Sequence, residues 1–293
     1  VANRLPFNDA ITPTIPAGSD GGLRLGAVQY LNTKPLVHGL AAAGADVRYD
    51  LPSRLADQLA AGRLDVALIP TIEFFRGDGY RIVSDACIGC RGPVMSVKVF
   101  FRTAPERVAT LAVDEGSRTS AALSRILLAE RFGVRPRIEP LPIGCGLGDT
   151  AADAVLLIGD RAIERGTGAG GARASSFQVV WDLGDEWCRW TGLPFVFAVW
   201  AARKGVDAAR VAGLLAAARD AGRANLAAIA AAEAASHGLT VPQCLGYLRD
   251  NLHYDLGTGE HEAISRFRAA AARMGLLEAR ETPLPPVIPA AGH

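Results

Sequence analysis

Residues 23–40 change period partway along. Leu23, Leu25 and Ala27 alternate with other positions as in a strand, and Leu36, Val37 and Leu40 then follow helical spacing. Between them lies a compact polar segment, residues 29–34. Pro35 suits the first position of a helix, where its missing N–H has no intrahelical partner. The pattern predicts a strand, a junction bearing Asn32 and Thr33, and a helix opening at Pro35.

The same rhythm recurs. Residues 46–49 read as a strand, and a helix runs from Pro52 to a stop at Gly62. The short apolar run 66–69 fits a strand buried on both faces, and it ends at Pro70-Thr71 before a short helix through Phe75. Residues 80–87 and 94–101 are strand-like. Thr110–Asp114 leads through Ser117–Ser120 into an amphipathic helix that Gly133 stops. Strands follow at Arg137–Leu141, at Ala154–Ile158 ahead of Gly159-Asp160, at 179–182 and at 195–200. The last third is helical: 207–235, with Gly213 and Gly222 as weak points, then 242–251 and 260–275.

Alternating strands and helices predict an α/β protein with mostly parallel sheets. Two such units joined by two long strand-like passages predict two lobes. Residues 22–95 and 197–280 form the first, and 96–196 form the second, inserted lobe. Residues 1–21 and 281–293 read as loosely ordered tails, and the glycine-rich run 166–176 as a flexible surface loop.

Composition narrows the function without naming it. At 293 residues the chain can build two cores. It is 49% hydrophobic and 21% charged, with a formal net charge of +1, which gives no electrostatic case for nucleic acid or a membrane surface. No apolar run reaches the roughly 18 residues of a membrane span. Residues 1–22 hold no continuous apolar stretch of the kind a secretory signal needs, so a cytoplasmic protein is expected. The five cysteines include one CxxC, Cys87 and Cys90. Without a second pair or a nearby histidine motif it predicts neither zinc nor redox chemistry but a structural role.

In open α/β sheets, ligands bind beyond the carboxyl ends of the strands. Here those ends carry Asn32, Thr71, Ser117–Ser120 and Asp160. Hydroxyls beside free N–H groups at helix starts make an anion cradle, each helix end contributing about 0.3–1 kcal/mol per charge. From local sequence alone, each junction is also readable as an ordinary cap. Two of them facing a cleft imply a small anion with more than one carboxylate.

The segments VQYLNTKPL, DVALIPTIEFF, GPVMSV, SRTS, LLIGDRA and TGLPFVFAVW, in this order, resemble the chorismate dehydratases of the futalosine route to menaquinone. The resemblance covers residues 23–277. It implies a two-lobed type II periplasmic-binding-protein fold with a ligand cleft between lobes, and removal of water from chorismate without metal or organic cofactor. Tyr30-Leu31-Asn32 favours the dehydratases over the sister naphthoate synthase of the same route; a non-catalytic small-acid binder of the same fold is the other alternative. Thr71 stands where that family often has Ser, and Phe74 where it often has Tyr, so Phe74 receives no polar role. On this reading Asn32 and Ser96 position the reacting groups. Tyr30, Thr33, Thr71, Ser117, Arg118, Thr119, Ser120 and Asp160 contact the substrate. Glu73 is the carboxylate of its motif, readable as a base or as a hinge contact. His38 lies too far along its helix to be a confident base.

Overall fold

The computed structural model describes residues 23–166 and 177–277. The expected tails and nearly all of the glycine-rich run lie outside them. The strands are β1 (Arg24–Val28), β2 (Asp46–Asp50), β3 (Val66–Pro70), β4 (Arg81–Cys90), β5 (Val97–Phe101), β6 (Thr110–Asp114), β7 (Arg137–Leu141), β8 (Ala154–Ile158), β9 (Val179–Asp182), β10 (Phe195–Ala202) and β11 (His253–Asp255). The helices are α1 (Pro52–Ala60), α2 (Thr71–Arg76), α3 (Arg118–Phe132), α4 (Asp160–Gly166), α5 (Leu183–Thr191), α6 (Ala208–Ala224), α7 (Leu226–Glu233), α8 (Val241–Gly246) and α9 (Thr258–Arg273).

The strands form two sheets, ordered β11-β4-β10-β3-β1-β2 and β7-β6-β8-β5-β9. Neither is mostly parallel, contrary to expectation. In the first, β1 pairs in parallel with β2 and β3, whereas β10 runs antiparallel between β3 and β4. In the second, β6 is parallel to β7 and β8, and β5 is antiparallel to β8 and β9. The reason is topological. A strand that returns from one sheet to complete the other enters against the local strand direction, and hydrophobic periodicity carries no sign of direction. β3, β8 and β10 are buried along their whole length, as continuous apolar runs require.

Three local readings change. Residues 31–37 form a 3₁₀ helix, and Pro35 lies inside it rather than at its start. Proline has no N–H to carry an α ladder, so the first junction offers side chains rather than a full helix dipole. Gly222 is a contact point, not a weak point. A Cβ there would lie 1.9 Å from the Pro35 carbonyl oxygen, so only glycine lets α6 support the 3₁₀ turn. The stretch 183–194, left without an element by its pattern, holds α5, which Asp182 caps by accepting from the Gly184 and Asp185 N–H groups.

Cys87 and Cys90 both lie in β4. Three residues apart on a strand, they point to opposite faces. The Cys90 thiol packs against Gly184 of α5, where a Cβ would come within 2.5 Å of it.

Candidate functional site

The strand ends of the two sheets face one another across a cleft enclosing about 510 Å³, counting its open mouth. Its walls are mostly apolar, with Val28, Ile88, Val97, Ile158 and Phe197 among them. Tyr30, Asn32, Ser96 and residues 117–120 supply the polar groups. Few, placed polar groups on an apolar wall are the usual make-up of a small-molecule site. Of the expected site residues, Thr33, Thr71 and Asp160 do not line it.

Each of those three has a partner. The buried Thr71 hydroxyl donates to the Val196 carbonyl at 2.8 Å, tying α2 to β10. Thr33 is buried behind the wall, and its hydroxyl donates to Asn32 Oδ1 at 3.2 Å. The amide oxygen keeps a second lone pair, so both it and the Asn32 NH₂ can meet a ligand. Asp160 opens α4, and its carboxylate stands 3.5 Å from His237 Nε2.

Ser96 sits at the end of a tightly held loop. The Asp182 carboxylate accepts from the Val94 N–H at 2.9 Å and from the Met95 N–H at 2.7 Å while capping α5. Burial pushes the Asp182 carboxyl upward, against the pull of those backbone donors. Asn251 donates to the Pro93 carbonyl at 2.9 Å, and Gly159 N–H to the Ser96 carbonyl at 2.8 Å. Met95 is the one non-glycine residue among the described residues with positive φ, at +61°. Such a backbone costs about 1–3 kcal/mol and persists only where its surroundings over-determine it. The loop's product is a Ser96 hydroxyl that lines the cleft, is 1% exposed, and has no hydrogen-bond partner of standard geometry. A buried unpaired hydroxyl is costly, and a ligand that bonds it removes the cost.

Tyr30 spans the cleft. It precedes the 3₁₀ turn of the first lobe, yet its ring lies against Gly159 of the second, where a Cβ would sit 3.0 Å from ring carbons. Its hydroxyl lies beside Gly116. Burial, with the Asp114 carboxylate next, pushes its phenol well above the usual range. Asp114 is buried, bound to Arg161 and to the Gly116 N–H, and its carboxyl is raised mainly by burial.

Residues 117–120 open α3. Ser117 occupies the cap position without a side-chain bond to the first turn, so those N–H groups remain for a ligand. Thr119 is engaged: its Oγ1 accepts from the Ile72 N–H at 3.2 Å, joining α3 to α2. Arg118 is engaged as well, by Asp57 and by Glu73. Glu73 gives one oxygen to Arg76 at 2.6 Å and the other to Arg118 at 3.2 Å. Both its oxygens are therefore held by guanidinium groups, which suits the hinge-contact reading and not a base. No aspartate, glutamate or histidine lines the cleft among the described residues; His38 ends the 3₁₀ turn outside it.

Pattern reading missed Asp182, which holds the Ser96 loop. An aspartate at a strand end ahead of LGDEW is a legible capping signal for Asp182.

A family model described as menaquinone biosynthesis matches residues 23–273. A chorismate dehydratase of Thermus thermophilus is 33% identical over 258 residues, 84% of this chain and 94% of that protein. Among solved structures, protein AF1704 from Archaeoglobus fulgidus aligns with a TM-score of 0.65 at 17% identity, over 87% of this chain and 98% of its own. The alkanesulfonate-binding protein SsuA from Xanthomonas axonopodis pv. citri, bound to MOPS, aligns with a TM-score of 0.58 at 15% identity, over 89% and 94%. At such identities the structural likeness concerns the fold, a two-lobed periplasmic-binding-protein arrangement. The match to the family model over nearly the whole described chain, together with the dehydratase relative, places this protein in the menaquinone biosynthesis family to which chorismate dehydratase belongs.

Proposed function

We propose that the protein is a chorismate dehydratase, a hydro-lyase acting in the cytoplasm on the futalosine route to menaquinone. It converts chorismate to 3-[(1-carboxyvinyl)oxy]benzoate and water. The observation that carries this reading is the 33% identity to a protein of that name along 94% of its length. The cleft supports it: the α3 N-terminus, the Asn32 amide and the Ser96 hydroxyl all line it and are groups that bind carboxylates.

The chemistry asks little of the protein. The proton on the ring carbon bearing the enolpyruvyl ether leaves, the ring hydroxyl departs as water, and the ring becomes aromatic. That product is the main driving force, so the enzyme orients the substrate, excludes water and guides one proton. With no carboxylate or imidazole lining the cleft among the described residues, the substrate's own enolpyruvyl carboxylate takes the proton. Asn32 and Ser96 hold the departing hydroxyl and the carboxylate in place.

The test is direct. Purified protein incubated with chorismate should remove the diene absorbance and yield a benzoate product in equal amount. Binding without loss of the diene would leave a small-acid-binding protein of the same fold and end the enzymatic reading.

A further inference from the structure

Asp114 and Arg161 stand behind the cleft wall and do not line it. Asp114 ends β6, two residues before Gly116, and Arg161 lies in the first turn of α4. The Asp114 side chain is 1% exposed. Its Oδ1 accepts from the Gly116 N–H at 2.9 Å, and its Oδ2 pairs with the Arg161 guanidinium. The Asp114 carbonyl accepts from the Ser117 N–H at 2.9 Å, and a second Arg161 nitrogen donates to the Cys145 carbonyl. The turn 114–117 leads straight into α3, so Asp114 fixes from behind the segment that presents the first N–H groups of that helix to the cleft.

A carboxylate is an unexpected support for such a turn. The α3 N-terminus and the buried, unpaired Ser96 hydroxyl line one cleft and suit an anion. A bare negative charge behind the same turn would repel that anion, and in a poorly solvated site the repulsion reaches over several ångströms. We infer that Asp114 and Arg161 are a positioning pair: the carboxylate shapes the α3 anion cradle through the Gly116 N–H, and the guanidinium cancels the charge that this carboxylate would set against the ligand. The other titratable groups beside Asp114 are Glu115, its chain neighbour, and the Tyr30 hydroxyl. A Cβ on Gly116 would lie 3.2 Å from Asp114 Oδ1 and 3.5 Å from that hydroxyl. Burial raises the Tyr30 phenol and keeps it neutral, so neither group supplies the compensating charge. Burial also pushes the Asp114 carboxyl up while Arg161 pulls it down, so removing Arg161 moves its titration toward neutral pH.

The inference rests on the cleft holding a dicarboxylate, so the test uses two: chorismate, and isophthalate, a benzene dicarboxylate that cannot be dehydrated. At pH 9, Arg161→Gln is expected to raise KM for chorismate and Kd for isophthalate about 10-fold or more, with kcat within about threefold. At pH 6 the loss is expected to shrink, because the Asp114 carboxyl then takes up a proton. Adding Asp114→Asn keeps an oxygen for the Gly116 N–H and removes the charge. The double variant is expected to bind both compounds within about threefold of wild type at either pH. Undiminished binding by Arg161→Gln at pH 9 overturns the inference. So does a double variant as weak as Arg161→Gln, since the guanidinium would then act by its own charge on the ligand. Should Arg161→Gln not fold, the double variant decides alone: binding within about threefold of wild type supports the pair, and a 10-fold loss overturns it. A protein that leaves chorismate intact but shows the loss and its rescue with isophthalate overturns the substrate reading alone. A wild type that binds neither compound overturns both.

Discussion

Arg118, which lines the cleft, pairs with Asp57, the two guanidinium nitrogens reaching the two carboxylate oxygens at 2.8 and 2.9 Å. One lies on α3 of the second lobe, the other on α1 of the first. With the Arg118–Glu73 pair and the Ile72–Thr119 bond, they form a latch between lobes. The Asp57 side chain is 56% exposed, and exposed pairs contribute only about 0–1 kcal/mol. The latch therefore biases lobe closure without locking it.

Asp57→Ala is expected to raise KM about three- to tenfold while leaving kcat within about twofold, because it weakens closure and not the chemistry. Steady-state kinetics reads the split, and small-angle scattering of the free protein should show a wider average cleft. A fall in kcat with KM unchanged would contradict the latch.

Asn32→Ala and Ser96→Ala are each expected to lower kcat about 100-fold, the scale of losing one oriented hydrogen-bonding group in a water-excluded site. Circular dichroism and melting temperature should stay near wild type for Asn32→Ala. Wild-type turnover by both variants would remove these residues from the reaction.

Gly159→Ala meets two obstacles. The backbone has φ +64°, and the new methyl would lie 3.0 Å from the Tyr30 ring. The left-handed backbone alone costs about 1–2 kcal/mol. A melting temperature lower by several degrees and a raised KM are expected, because Tyr30 must withdraw from the cleft. Unchanged values for both would show that Tyr30 does not bridge the lobes.

Asp182→Ala strips the acceptor from the N–H groups of Val94, Met95, Gly184 and Asp185 together. Destabilisation of about 2–4 kcal/mol is expected, since unsatisfied buried donors cost about 1–3 kcal/mol each and some recover water. Urea denaturation measures it. The Ser96 loop loses its hold, so kcat is expected to fall even at temperatures where the variant is fully folded.

His253 sets a pH dependence of stability. Burial first, then the Arg91 charge, push its imidazole below the ordinary value of 6.5. The unfolded chain therefore takes up a proton at higher pH than the folded protein does. Stability from this group is complete above about pH 6.5 and is lost as pH falls toward the depressed folded value. The melting temperature should drop between about pH 7 and 5, and His253→Gln should flatten that drop. A variant with the wild-type slope would assign the sensitivity to other groups.

The sequence by itself marked most of the elements and the resemblance to the family. Apolar runs such as Val66–Pro70 and Phe195–Ala202, with glycine stops at Gly62 and Gly133, mark strands and helices because burial and capping are local requirements. The six ordered motifs already pointed to the family that the comparisons then gave. Tertiary structure alone decided strand direction, because periodicity is the same in either sense. It decided that Pro35 lies within a 3₁₀ turn seated on Gly222, that Glu73 is occupied by two arginines, and that Thr71 faces a carbonyl instead of a ligand. It also brought Asn251 to the Pro93 carbonyl, in the loop that carries Ser96, across more than half the chain. Contacts between residues so distant in sequence depend on how two sheets and their crossovers pack, and no local preference encodes that.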